Sequence, residues 1–427
     1  MKAYKDMSRE ELMLEKETLE KRIEGFRAMN LSLDMTRGKP STAQLDMHAK
    51  MFDGLDKTGF KSVDGDCRNY GIPNGITEVR ELFAQILDTD KDKVLVGNGS
   101  SLNLMFDALM RAVVFGEHDS DKPWSQVQNK KWLCPVPGYD RHFSVTEKLG
   151  FELICVPLKD DGPDMDIVEE LVKDDSVKGM WAIPCYSNPD GIVYSQEVCE
   201  RLASMKTAAK DFRIFWDNAY VVHHLYEDES LHATIPDILS LCEKAGNPSR
   251  VYEFASTSKI TFAGSGLSVI CANKENLDFA KKIIGVQTIG ANKINQLAHI
   301  NYIPDMATLK ALMNKHADIL RPKFEKTLEV LDREITGTGI ASWRKPYGGY
   351  FISVFVYPGT ADKVVSMSKE LGVAFTPAGA TYPYKKDPDN SNIRLSPSFP
   401  TVEDINKAVE VFAVCAKLTA IEKILEA

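Results

Sequence analysis

The chain has 427 residues, a formal charge of −9 and a pI near 5.5, with 44% hydrophobic and 26% charged residues. That length exceeds one ordinary core, so two domains are expected. The acidic balance argues against a nucleic-acid groove, which needs clustered Lys and Arg, and leaves a small molecule as the expected partner. No run approaches a membrane span, the N-terminal MKAYKDMSREELMLEK lacks the apolar stretch of a signal peptide, and the eight cysteines are scattered without a C-x-x-C pair. The sequence therefore reads as cytoplasmic, with no membrane contact.

In chain order, the first element is a helix from about Ser8 to Ala28, opened by the capping-box pair Ser8 and Glu11. LSLDMTRGKPS follows, where Gly38 and Pro40 break regular structure and predict a loop entering a site. From Lys93 to Asn273 seven short apolar runs alternate with polar or helical stretches: KVLVG, KWLCPVP, FELICVPL, GMWAIPC, FRIFWDNA, VYEFAS and SVICAN. The runs are mostly continuous rather than alternating, as strands covered on both faces are. Leu102, Met105, Phe106, Leu109 and Val113 stand at helical spacing between the first two, and Met105, Phe106 and Met110 read as core. The pattern predicts an α/β fold: a mainly parallel seven-stranded sheet flanked by helices.

After about Asn301 a long helical stretch leads into YGGYFISVFV and a second α+β unit, closed by an amphipathic C-terminal helix. The expected division is an N-terminal helix and arm over 1–50 that joins the small domain, a large domain over 51–305, and a small domain over 306–427. Ligand sites in such proteins lie between domains and at the carboxyl ends of strands.

Four strand ends carry residues with chemistry. Ser256-Thr257-Ser258-Lys259 closes VYEFAS; its hydroxyls and amides suit a phosphate and its lysine can reach an aldehyde, although a lysine after a strand is usually a solvated loop residue. Asp217, in Trp216-Asp217-Asn218-Ala219-Tyr220, either caps the next element or faces a pyridine nitrogen, with Tyr220 donating to the ring's phenolic oxygen. Ser187-Asn188-Pro189-Asp190-Gly191 is an ordinary turn by itself, or it offers Asn188 to the same oxygen. Gly97-Asn98-Gly99-Ser100-Ser101 leads into a helix whose first amides suit a phosphate. Each signal is common alone; their conjunction, in order on four strand ends, is specific.

With these motifs the chain resembles, over almost its whole length, the class I, fold-type I enzymes of the aspartate aminotransferase superfamily, which use pyridoxal 5'-phosphate (PLP). The resemblance implies a Schiff base on Lys259, Asp217 on the pyridine nitrogen, and Tyr220 and Asn188 on the phenolic oxygen. It implies Gly99, Ser100, Ser101, Ser256 and Ser258 around the phosphate. Tyr139, in Pro137-Gly138-Tyr139, is implied to stack on the ring. Arg394, in Asn392-Ile393-Arg394-Leu395-Ser396, would fork the substrate α-carboxylate, a task that suits a planar guanidinium; Gly38 would lie beside it. Tyr70, in Tyr70-Gly71-Ile72-Pro73-Asn74-Gly75, would reach the phosphate of a neighbouring subunit, which implies a homodimer. LDMTRGKPS, CPVPGYDRHF, STSKITFAGSG and Lys293-Ile294-Asn295-Gln296 look more narrowly like the bacterial Ic-type aspartate aminotransferases, related to the catalytic half of MocR-like regulators; no winged helix-turn-helix is seen here.

The chain departs from the pattern after the lysine. Relatives often carry a phosphate-binding arginine seven or eight residues on, where this sequence has Gly266 and Leu267. Lys293, from this subunit or its partner, is the candidate replacement. Arg37 and Arg141 flank matched motifs and are candidates for a second substrate carboxylate. His223-His224 reads as structural rather than metal-binding, because adjacent side chains point apart. The expected reaction is amino transfer from L-aspartate to 2-oxoglutarate, with Lys259 as general base. The alternatives are transaminases for alanine, aromatic or kynurenine-type donors, a PLP-dependent C–S β-lyase, and a non-catalytic PLP-binding sensory protein.

Overall fold

The structure, a computed structural model, describes residues 2–426. Helix α1 (Arg9–Ala28) starts at the predicted capping box: Ser8 Oγ accepts from Glu11 N at 3.1 Å, and Glu11 Oε2 accepts from Ser8 N at 2.6 Å. Strand β1 (Leu33–Met35) and the short α2 (Thr42–Asp46) follow as an arm. Helix α3 (Thr77–Ile86) then leads to the alternating region.

That region runs β2 (Val94–Asn98), α4 (Ser101–Phe115), β3 (Lys131–Val136), α5 (Asp140–Lys148), β4 (Glu152–Lys159) and β5 (Gly162–Pro163). It continues with α6 (Met165–Leu171), β6 (Val177–Ala182), α7 (Gln196–Ser204), β7 (Arg213–Asp217), α8 (Ile238–Lys244), β8 (Val251–Ser256) and β9 (Leu267–Cys271). All seven apolar runs are strands of one sheet, in the order β2-β9-β8-β7-β6-β3-β4-β5. The sheet has eight strands rather than the seven expected: the extra one, β5, is a Gly-Pro pair on the edge of β4 that no apolar pattern marks. Only β9 and β5 run antiparallel to their neighbours. Apolar side chains fill both faces. Leu133, Met180, Ile214 and Val269 pack on one side, and Trp132, Trp181, Phe215 and Phe254 on the other.

Beyond the sheet come α9 (Lys274–Gln287), α10 (Lys293–Tyr302) and the long α11 (Met306–Ile335). The last part holds β10 (Ser342–Trp343), β11 (Ile352–Phe355), α12 (Ala361–Glu370), β12 (Val373–Phe375), β13 (Asn392–Leu395) and α13 (Val402–Glu426). Strands β10, β11 and β13 form a small antiparallel sheet, and β1 pairs in parallel with β12. The N-terminal segment thus shares a core with the C-terminal third: Leu12, Leu19 and Ile23 of α1 pack with Val354, Val409 and Phe412. Helix α11 serves both cores, since Leu309, Leu312 and Met313 face the large sheet and Leu320, Phe324 and Leu331 the second core.

Candidate active site

The C-terminal ends of β6, β7 and β8 open onto one cavity of about 170 Å³, which Lys259, Asp217, Tyr220, Asn188, Tyr139, Ser100, Ser101, Ser256 and Ser258 help to line. Parallel strands bring their ends to one side, so residues far apart in sequence converge there. Lys259 Nζ lies 4.7 Å from the centre of the Tyr220 ring and 5.8 Å from that of Tyr350. Burial, with the nearby Asp217 carboxylate, pushes the Tyr220 phenol well above its ordinary range. The Tyr139 phenol is pushed up to about 12, chiefly by burial.

Asp217 is buried, and its two oxygens have different surroundings. Oδ2 is hydrogen-bonded at 3.0 Å to Nε2 of His142, whose ring stacks 4.2 Å from Trp181. Oδ1 is buried without a partner among the described residues. A buried carboxylate oxygen with no donor is costly, and a protonated pyridine nitrogen is a donor that fits it. The phosphate end also fits. Ser100 caps α4 without bonding its amides, donating instead to Asn103 Oδ1 at 3.1 Å, and Ser256 Oγ lies 3.2 Å from Ser258 Oγ. Uncapped amides and hydroxyls make an anion site. These residues could hold PLP.

Arg394, on β13, is buried beside the same cavity. Its Nη1 donates to Asn188 Oδ1 at 3.2 Å and to Asp140 Oδ1 at 3.1 Å, its guanidinium lies 4.8 Å from the Phe351 ring centre, and its Nε has no partner among the described residues. One edge of the fork is thus anchored and the other is free for a carboxylate. Gly38 packs against Phe351: a Cβ at that position would stand 2.4 Å from Phe351 Cζ.

Not every candidate converges. Gly99 lines a neighbouring cavity of about 480 Å³ with Pro73, Asn103, Arg111 and Gly290. Tyr70 is 80% exposed and lies outside the first cavity. Lys293 is also outside it; its ammonium donates to Gly71 O at 3.0 Å, because the start of α10 folds back on the loop after Tyr70. Lys259 is the one cation among the described residues of this chain that line the cavity. Arg37 and Arg141 are exposed and make no ion pair among the described residues. His223 is buried against Lys259 O, whereas His224 stacks on His232 and contacts Tyr186 Oη at 2.7 Å.

Four site residues escaped the sequence reading: His142, Asp140, Phe351 and Tyr350. His142 alone left a signal, standing three residues after Tyr139 at the start of α5, on the same helical face.

Sheet order, strand directions and the strand-end cavity define a PLP fold-type I aminotransferase fold. The α-aminoadipate aminotransferase LysN of Thermus thermophilus, solved with N-(5'-phosphopyridoxyl)-L-leucine, shares that fold at a TM-score of 0.72 and 20% identity, covering 92% of this chain and 93% of its own. The aspartate amino-transferase family model matches residues 7–427, and the chain belongs to that family. An aspartate aminotransferase of Corynebacterium glutamicum is 48% identical over 421 residues, 98% of this chain and 97% of its own. A solved aspartate transaminase from the same species superposes at a TM-score of 0.96, with 47% identity and 99% of each chain covered. A putative aminotransferase of Mycolicibacterium smegmatis is 43% identical over 99% of each chain. The chain is an aminotransferase.

Proposed function

We propose that the enzyme binds PLP on Lys259 and exchanges amino groups between L-aspartate and 2-oxoglutarate, giving oxaloacetate and L-glutamate. The unpaired Asp217 Oδ1 carries the cofactor half of this reading: it is a buried acceptor in a cavity whose lining includes a lysine and four serine hydroxyls. When bound, PLP supplies a ring that withdraws the electron pair left at the substrate Cα.

The chain's own residues do the rest. The free edge of Arg394 takes the α-carboxylate and orients the Cα–H bond toward Lys259. Lys259 Nζ, freed from its covalent link when the substrate amine takes its place, then removes that proton as general base. Asp217, held by His142, keeps a positive charge favourable at the far end of the cavity. Asn188 links the carboxylate site to the cofactor site, since it lines the cavity and accepts from Arg394.

The dicarboxylic substrate is supported by Arg37 and Arg141, two guanidiniums with no ion pair among the described residues, each beside a site motif; Arg141 follows the Asp140 that anchors Arg394. The exposure of Tyr70 supports a homodimer in which it serves the neighbouring site. Eight free cysteines support a cytoplasmic enzyme.

The test is absorbance of the holoenzyme with L-aspartate, then with 2-oxoglutarate. Conversion to the pyridoxamine form and back is expected, and Lys259→Ala should lose both the covalent link and turnover. Arg141→Ala or Arg37→Ala should raise KM for aspartate at least tenfold more than KM for alanine. Pyruvate release from cystathionine without amino transfer would instead establish a lyase.

A further inference from the structure

A set of buried polar side chains behind Lys259 takes no part in the scheme above. Lys259 stands on a turn closed by Ile260 N and Thr261 N, which both donate to Thr257 O at 2.9 Å. The carbonyls of Lys259 and Ile260 receive no backbone donor among the described residues; side chains supply their hydrogen bonds. His316 Nε2 lies 3.1 Å from Ile260 O. Tyr350 Oη lies 3.5 Å, and His223 Nε2 3.4 Å, from Lys259 O.

The tautomers follow from which partners can only accept. Ile260 O accepts, so His316 carries its proton on Nε2, and its Nδ1 accepts from Gln44 Nε2 at 2.8 Å. The other Gln44 amide hydrogen goes to Tyr350 Oη at 3.1 Å, leaving the Tyr350 hydroxyl to donate to Lys259 O. At the far end the Tyr302 hydroxyl donates to Met47 O at 2.8 Å, so its oxygen accepts from His48 Nδ1 at 3.2 Å. His48 Nε2 is then a bare acceptor, 3.1 Å from the His316 Nε2–H. The His316 Nε2–H is shared between Ile260 O and His48 Nε2, and a second proton on either ring would face a donor, so both rings are neutral. Burial keeps them so, holding His48 and His316 down to about 4.

We propose that Gln44 and His48 of the arm, acting through His316 and Tyr350, are positioning residues that fix the Lys259 peptide while its side chain swings between cofactor and substrate. The inference rests on Lys259 being the base. Gln44 and His48 are thereby tied to the chemistry without touching substrate. The lever is long: a tilt of about 10° at the Lys259 Cα moves Nζ, roughly 6 Å away, by about 1 Å, and misplacement of that order costs on the order of 100-fold in rate.

The test compares holoenzymes carrying His316→Phe, His316→Gln and Tyr350→Phe. Phe keeps the ring volume but loses both nitrogens, whereas Gln can still donate to Ile260 O. Tyr350→Phe removes one hydroxyl and leaves the packing, so it should fold. We expect kcat to fall about 10- to 100-fold in His316→Phe and about 3- to 10-fold in Tyr350→Phe, with donor KM within threefold, and His316→Gln to recover most of the loss. Amide exchange over 257–261 should rise about tenfold in His316→Phe while the sheet strands keep their protection. The midpoint of the pH titration of visible absorbance should shift with it. Wild-type kcat and exchange in both Phe variants would overturn the proposal. So would equal loss in His316→Gln and His316→Phe with exchange raised throughout, which marks a general stability role. Turnover retained by Lys259→Ala would instead refute the site reading itself.

Discussion

Gly38 links the arm to the carboxylate site, and adding one methyl there should be read by the substrate. Its backbone is not in the left-handed region, so Gly38→Ala introduces no dihedral strain; the conflict is with Phe351, whose Cζ and Cε1 would lie 2.4 and 2.6 Å from the new Cβ. Ordinary carbon contact is about 3.6 Å, so the ring must retreat by about 1 Å. Phe351 is buried in the second core and the Arg394 guanidinium lies over its ring, 4.8 Å from the centre, so a displaced ring should disturb Arg394. Overpacking of this kind costs about 1–3 kcal/mol. Arg394 is proposed to hold the carboxylate in ground and transition states alike, so the loss should appear in KM, by roughly tenfold, with kcat changed little. Steady-state kinetics on Gly38→Ala, Phe351→Leu and the double variant check it. Leucine lacks the ring's far carbons, so the double variant should behave like Phe351→Leu alone, with a coupling energy of about 1 kcal/mol or more. A Gly38→Ala enzyme with unchanged KM, or penalties that simply add, would refute the contact as the cause.

Three further outcomes are expected. His142→Phe should keep the stack on Trp181 but strip Asp217 Oδ2 of its donor, lowering kcat/KM by about 10- to 100-fold and weakening PLP retention, checked by kinetics and cofactor titration. Arg394→Lys should raise donor KM by about 10- to 100-fold, since one ammonium cannot both bind Asn188 and fork a carboxylate. Glu253, buried beside Asn218 and pushed up to about 8 by burial, is neutral in the fold and ionised in the unfolded chain at neutral pH. Its contribution is fully present below the unfolded value near 4.3 and is lost as pH rises through about 8, at about 1.4 kcal/mol per unit. Relative to Glu253→Gln, the wild type should therefore lose on the order of 4 kcal/mol in denaturant unfolding between pH 5 and 8, with no further loss above; parallel stability curves would exclude the ionisation.

The large sheet was legible because its strands are covered on both faces, so burial wrote each as a continuous apolar run, from KVLVG to SVICAN. Strand β5 was not, because a Gly-Pro pair held by two backbone partners on β4 has no hydrophobic signature. The strand-end residues were legible for a related reason: parallel strands deliver their C-terminal ends to one side, so sequence order became spatial adjacency. The positioning groups behind Lys259 had no such guide. Gln44 and His316 are 272 residues apart, and their 2.8 Å contact depends on how the arm packs against α11. Lys293 shows the converse. The sequence displays a cation near a site motif, but where it points is set by the fold of α10 onto Gly71.

The missing arginine is the point where sequence and structure bear on each other most directly. A phosphate dianion in a cavity with one lysine needs other sources of positive potential. The first turn of α4 is open there, since Ser100 turns its hydroxyl to Asn103 rather than to the helix amides. An uncapped helix start costs stability when empty and regains it when an anion arrives. A further constraint stands at the departure itself: a Cβ at Gly266 would lie 3.0 Å from Ser258 Oγ and 3.2 Å from Gly99 O. Glycine there lets the chain pass close to Ser258 and Gly99, which a side chain would crowd by a few tenths of an ångström. On the proposed reading of the site, these hydroxyls and amides would share the phosphate charge that a guanidinium carries in relatives.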